Sequence, residues 1–352
     1  MFLSGLGTAA PPQRYSQAQC WEAFRACKHY RRLGHRAQVL VEQVLLGDNG
    51  IAARHLAPAE LQEVFDINPD TLHRRFADHA PRLATEAALR ALHDAGLKAG
   101  QVDAVIASTC TGYLCPGITS YLIEGLGLRP EVLAFDLVGQ GCAAALPNWS
   151  MAEALLSAGR ARQVLSVCVE ISSAAMYVDD DPGVLISGCL FGDGAGAALL
   201  SARPPAGHRR IAWRRGGSMT DPGRRDLLRF EQRGGMLRNI LTRPVPQLAA
   251  RYAAEVLERV LRSEQVAREE IGAWIWHAGG RDVLAALQER LGLSEEQLRY
   301  SRAMLAEYGN LSSAFVYFVL QAALRDPAPG GHWWMSSFGA GFSCHGALLR
   351  VD

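Results

Sequence analysis

The chain predicts a layered α/β protein assembled from two related halves. Three observations carry this. Short, β-branched apolar runs read as fully buried strands. Between them lie helical segments whose apolar residues recur at three and four. Two motifs of the first half then return, in the same order, in the second.

In chain order, residues 17–46 and 57–97 read as helical, with good helix formers between the apolar positions. "VDAVIAST" (102–109), "EVLAFDLVG" (131–139) and "QVLSVCVEIS" (163–172) read as buried strands. "AAALPNWSMAEALLSAG", apolar nearly all round, marks a buried helix. Pro147 removes a donor near its beginning and predicts an irregular first turn. "VDAVIASTCTG" (102–112) is echoed by "IGAWIWHAGG" (271–280), and "FGDGAGAALL" (191–200) by "FGAGFSCHGALL" (338–349). Residues 202–236, rich in Arg, Gly and Pro, read as a basic surface connection between the halves. The predicted division is 1–205, carrying a candidate nucleophile, and 206–352, carrying a histidine and an asparagine.

Composition excludes several classes. A formal charge of +1 argues against a nucleic-acid partner, and no apolar run approaches the ~20 residues that span a bilayer. The first residues lack a basic n-region and a long h-region, so no signal peptide is expected. The eight cysteines, Cys20, Cys27, Cys110, Cys115, Cys142, Cys168, Cys189 and Cys344, form no CxxC and no zinc-ligand spacing. No metal site is expected, and such scattered thiols suggest a reducing cytoplasm.

"DLVGQGCAAALPNW" surrounds Cys142 with glycines and alanines, which suits a thiol that must let a ligand approach closely. At the start of a buried helix it would meet backbone N–H groups and the positive end of the helix dipole, lowering its pKa. On this residue alone, an inert core thiol remains a competing reading. His277 directly follows the strand "WIW", where clefts of layered sheets open; taken singly it is equally a satisfied histidine. Asn310 in "EYGNLSSA" is by itself equally an N-cap. Together they suggest a thiolate that holds an acyl thioester and two N–H donors for an oxyanion. No carboxylate pair accompanies them. Decarboxylation of a malonyl unit would supply the enolate without an external base, which is a decarboxylative Claisen condensation.

In order and spacing, "GQGCAAALPN", "FGDGAGA", "WHAGG", "EYGNLSSA" and "FGAGF" resemble the chalcone-synthase-like type III polyketide synthases, over roughly residues 100–350. The resemblance implies a thiolase fold in αβαβα layers, a homodimer, and acyl-CoA and malonyl-CoA as substrates with no further cofactor. By position it makes Cys142 the nucleophile, His277 its ion-pair partner and an oxyanion donor, and Asn310 the second donor. Phe191 matches a gatekeeper phenylalanine and Ser312 a pocket serine. It implies extension of an acyl starter and cyclisation to a pyrone- or resorcinol-type product. A carrier-protein-dependent 3-ketoacyl synthase shares the Cys/His/Asn set and is the alternative. A thiolase would need a second catalytic cysteine, for which Cys344 is the sole late candidate, and a non-catalytic relative would not need the intact triad.

The sequence also departs from the family pattern. Asn239, with Arg238 beside it, stands where plant members carry a second gatekeeper phenylalanine. Cys110 and Ala175 occupy pocket positions that carry threonine, and Cys115 replaces a methionine that crosses the dimer interface. Ala175 and the missing aromatic predict room for a long acyl tail. The cationic positions that hold coenzyme A phosphates fall on Val41, Val44 and Asp48. Coenzyme A is then expected on Arg54 or on the arginines of 209–215, or the acyl group arrives on an acyl carrier protein.

Overall fold

The computed structural model describes residues 1–205, 209–326 and 328–352. In chain order the elements are β1 (Phe2–Ala9), β2 (Arg14–Ser16), α1 (Gln17–Ala26), α2 (His35–Leu46), β3 (Ala53–His55), α3 (Pro69–Asp94), β4 (Ala104–Ser108) and α4 (Ile118–Leu126). There follow β5 (Leu133–Asp136), α5 (Ala145–Ser157), β6 (Gln163–Glu170), α6 (Pro182–Leu190) and β7 (Gly194–Ser201). The second half supplies β8 (Ile211–Thr220), β9 (Leu228–Arg233), β10 (Met236–Leu241), α7 (Val245–Glu264) and β11 (Ile271–Trp276). It ends with α8 (Arg281–Leu291), α9 (Glu295–Tyr308), α10 (Phe315–Arg325), β12 (Gly331–Gly339) and β13 (Ser343–Val351). No described helix is long and apolar enough to cross a membrane.

Nine strands form one sheet in the order β11-β12-β13-β8-β1-β7-β6-β4-β5. Its two wings repeat one pattern. β4 runs parallel to β6, β6 antiparallel to β7, and β7 antiparallel to β1. In the other wing β11 runs parallel to β12, β12 antiparallel to β13, and β13 antiparallel to β8. The wings meet in a two-pair ladder, Phe2↔Ala212 and Leu3↔Ile211. The sequence echoes fall on equivalent strands, β4 with β11 and β7 with β13; β5 has no counterpart.

The wings enclose α5 and α10. α5 packs on β4, β6 and β7 and also on β12 and β13, while α10 touches β1 and β7 and also β11 and β12. Trp149 on α5 donates its indole N–H to the Tyr317 hydroxyl of α10 at 3.2 Å, which gives these buried polar groups partners. α3 covers the outer face of β1, β7 and β6, and α7 that of β13 and β8. The result is five layers, αβαβα. The outer packing is close: a Cβ on Gly5 or Gly7 of β1 would lie 2.2 Å from the Ala91 or Ala87 carbonyl oxygen of α3.

Several sequence expectations are corrected. The helical stretch 17–46 breaks after Ala26, where Cys27 is extended, and restarts beyond Gly34. Within 57–97 the long helix begins only at Pro69, which takes the first helical position behind the Asn68 cap. A 3₁₀ turn, Leu61–Phe65, precedes it. The supposed connection 202–236 contains β8, a full member of the sheet, and β9. Paired arginines and the adjacent Gly216 and Gly217 inside β8 hide a half-buried strand. The division expected at 205/206 falls against residues 206–208, outside the described residues.

Gly7→Ala is expected to lose about 1–3 kcal/mol of stability through overpacking against α3. Denaturant unfolding measures it, and an unchanged midpoint would contradict this packing.

Candidate active site

β5 delivers the chain to a loop in which Gly139 and Gly141 have φ of 83° and 53°, conformations that favour glycine. A 3₁₀ turn, Gly141–Ala143, carries Cys142 into α5. It presses on the second half: a Cβ on Gly339 would lie 2.5 Å from the Gln140 carbonyl oxygen and 2.7 Å from the Ala143 nitrogen. The Ser337 hydroxyl donates to the Ala143 carbonyl at 3.1 Å. The small residues around Cys142 therefore admit the neighbouring glycine loop as well as any ligand.

Cys142 is half-buried, and its sulfur accepts a hydrogen bond from the Ser312 hydroxyl at 3.2 Å. The expected gain in acidity is not found. α5 begins three residues later, at Ala145. Burial pushes the thiol up to about 12, opposed by the Ser312 hydroxyl and reinforced by the Glu170 carboxylate.

His277, fully buried, leaves the end of β11 and donates its backbone N–H to the Ser336 carbonyl at 2.9 Å. Its ring sits edge-on between Phe315 (5.5 Å) and Phe338 (5.0 Å), and its Nδ1 has no partner among the described residues. Burial in this apolar slot pushes the imidazole down to about 3, so it is neutral. Asn310 forms an isolated bridge with Phe191 and donates its backbone N–H to the Leu190 carbonyl. Its side-chain amide donates to the Gly279 carbonyl at 3.0 Å and accepts from the Ser312 N–H at 2.8 Å. One amide N–H remains.

These contacts tie three segments together. Ser312 joins Asn310 to Cys142; Gly279 joins Asn310 to the loop after His277. The end of β12 holds both His277, through Ser336, and the Cys142 turn, through Ser337. Ser312 itself has φ 50°, a left-handed conformation uncommon for a non-glycine residue, and it aims its hydroxyl into this junction.

Glu170 was not singled out in the sequence. It ends β6, fully buried, and accepts from the Thr111 hydroxyl at 2.9 Å, the Cys110 N–H at 3.0 Å, and the Ser313 hydroxyl. Ser312 Oγ and Cys110 Sγ lie 3.3 and 3.4 Å from it. Burial raises its pKa despite these donors. The available signal was a lone charge closing an otherwise apolar strand, "VLSVCVE".

A cavity opens beside this junction. Of the residues expected to bind substrate, Phe191, Ser312, Cys110, Ala175 and Asn239 all line it. Cys115 does not; it is exposed on the loop after β4. The aromatic missing at Asn239 is supplied by Phe230, its cross-strand neighbour, which also lines the cavity. Arg54 faces inward instead of reaching a surface phosphate: it is buried and donates to Gln17 and to the Gly188 and Phe191 carbonyls. Leu56, Leu61, Val64 and Phe65 extend the lining into an apolar recess.

Residues 8–212 match the family described as FAE1/type III polyketide synthase-like protein, and residues 229–351 the C-terminal domain of chalcone and stilbene synthases. The chain is 30% identical to 1,3,6,8-tetrahydroxynaphthalene synthase of Streptomyces peucetius subsp. caesius, over 99% of this chain and 92% of that protein. It is 27% identical to 3,5-dihydroxyphenylacetyl-CoA synthase of Streptomyces toyocaensis, over 98% and 89%. Among solved structures, PKS-I from the brown alga Ectocarpus siliculosus superposes with a TM-score of 0.89 at 27% identity, covering 99% of this chain and 98% of that one. Tetrahydroxynaphthalene synthase of Streptomyces coelicolor A3(2) shares the fold, with a TM-score of 0.90 at 24% identity over 100% and 99%.

Ser312→Ala removes the hydroxyl that eases ionisation of Cys142. Its alkylation by iodoacetamide at pH 8, followed by peptide mass spectrometry, is expected to slow about tenfold, as loss of ~1.4 kcal/mol of charge-assisted hydrogen bonding predicts. An unchanged rate would show that the hydroxyl does not act on the sulfur.

Proposed function

The chain belongs to the type III polyketide synthase family, an enzyme class that forms C–C bonds by malonyl-CoA condensation, and from that premise we propose that it loads an acyl-CoA starter on Cys142, extends it with malonyl units and cyclises the product to a pyrone or resorcinol. The observation that carries this reading is the junction of Cys142, Ser312 and Asn310 beside the cavity.

Burial opposes either charge alone on Cys142 or His277. A proton moved from the thiol to the imidazole creates both charges at once, and their attraction offsets part of that cost. The thiolate attacks the starter carbonyl, and the departing coenzyme A thiolate takes the proton from His277. That histidine is then neutral, with one N–H to offer. A malonyl thioester loses CO2, and its enolate oxygen is met by the His277 and Asn310 N–H groups. The enolate carbon attacks the Cys142 thioester, and the thiolate leaves as the new C–C bond forms. The recess lined by Leu61, Val64 and Phe65, together with the small Ala175, supports a starter with an apolar tail.

We also propose a homodimer. Tyr113 and Val138 are 71% and 70% exposed on the loops that follow the adjacent parallel strands β4 and β5, where Cys115 is exposed as well. A second copy would cover this apolar edge.

Purified protein with a panel of acyl-CoA starters and malonyl-CoA is expected to release CO2 and yield pyrone or resorcinol masses, with aliphatic starters favoured over small aromatic ones. Cys142→Ala should abolish condensation, and Asn310→Ala should lower kcat on the order of 10²–10³-fold. Condensation by Cys142→Ala would end the nucleophile assignment. The pH dependence adds a sign. The thiolate forms only with protonated His277, so wild-type alkylation of Cys142 should show an inflection well below 12. In His277→Gln the inflection should move upward.

A further inference from the structure

The hairpin β9–β10 forms one wall of the cavity, and its two faces have different tasks. Phe230 and Asn239, opposite each other across the strands, line the cavity. The neighbouring cross-strand pair, Glu231 and Arg238, belongs to the other face by the alternation of side chains. Arg238 is 8% exposed, yet it meets three carboxylates: Asp179 at 2.8 Å, Asp181 at 3.1 Å and Glu231 at 3.0 Å. Its guanidinium also lies 6.0 Å from the centre of the Tyr177 ring.

The three acids come from two walls. Glu231 lies on the hairpin itself. Asp179 and Asp181 lie on the segment between Tyr177, which lines the cavity, and α6, which Asp181 caps by accepting the Gly183 and Val184 N–H groups. α6 ends at Leu190, next to Phe191. On the cavity side the same two walls are joined more lightly, by the Asn239 amide donating to the Ser187 hydroxyl at 3.0 Å. A planar fork that reaches carboxylates on two elements fixes their separation in a way a point charge does not.

We infer that Arg238 is a positioning residue that sets the spacing of the hairpin wall from the α6 wall, and thereby decides how many condensations occur before the chain cyclises and leaves. The inference rests on the polyketide synthase reading of the cavity. Arg238 reaches the reaction only through the walls that it ties, so acylation of Cys142 should not depend on it. Folding of a long intermediate against Phe230, Asn239 and Tyr177 should.

The test compares wild type, Arg238→Met, Arg238→Lys and Asp179→Asn with one starter acyl-CoA and malonyl-CoA. Two quantities are read: the rate of Cys142 acylation by mass spectrometry, and the ratio of shorter to full-length products by liquid chromatography. Displacements of about 1 Å can cost on the order of 10²-fold in such geometries. We expect Arg238→Met to shift the product ratio about tenfold while acylation changes less than about twofold. Lys, which keeps the charge but not the fork, should restore part of the ratio. Asp179→Asn removes one arm at a more exposed position and should shift the ratio in the same direction, so it reads the inference even if Arg238→Met does not fold. An unchanged product ratio in soluble variants overturns the inference, as does a loss of acylation equal to the loss of product. Wild-type protein that acylates Cys142 but consumes no malonyl-CoA would instead remove the reading beneath it.

Discussion

The site depends on one close backbone approach. Gly339, at the end of β12, leaves less than 3 Å between where its Cβ would stand and the backbone of Gln140 and Ala143. This contact belongs to neither half alone. It brings the turn that carries the thiol, built by β5 and α5, against the strand that anchors His277. A methyl group there would push the halves apart where their separation matters most. Ser337 and Ser336, on the same strand, then fix the turn and the histidine in register.

Around this contact the chain buries three titratable groups, and burial sets the resting state of each. The Cys142 thiol is pushed up, the His277 imidazole down, and the Glu170 carboxyl up. All three shifts favour the uncharged form. The hydroxyls of Ser312, Ser313 and Thr111 work against this by offering donors to sulfur and carboxylate. The thiol and the imidazole therefore rest uncharged, and charge appears as sulfur and substrate exchange it.

Much of this was legible in the sequence, for reasons that differ by residue. The buried strands and the all-round apolar α5 follow from periodicity, because a layered fold buries them on both faces. The echo of 191–200 in 338–349 marks β7 and β13, whose surroundings repeat. β8 was missed because the exposed pair Arg214 and Arg215, followed by Gly216 and Gly217, looks like a solvated loop. Glu170 was missed because a single acid closing a strand has no spacing signature; its donors come from two segments far apart in the chain, around residues 110 and 312. The inward turn of Arg54 was also not legible, since nothing local shows that its partners are carbonyls near residue 190. Cys110 and Asn239 were placed by their neighbours in order along the chain, and both line the cavity.

The enclosure of α5 has a consequence for biosynthesis. One side of this apolar helix is covered by β4, β6 and β7, which leave the ribosome early or soon after it. The other side waits for β12 and β13, the last strands of the chain. Throughout translation of the second half, the nascent protein exposes a greasy helical surface with no native cover. Such intermediates are prone to aggregate. Truncation that removes β13 would make that exposure permanent, so recombinant yield should depend on chaperone capacity and on an intact β13, which is buried and paired on both sides as far as Val351.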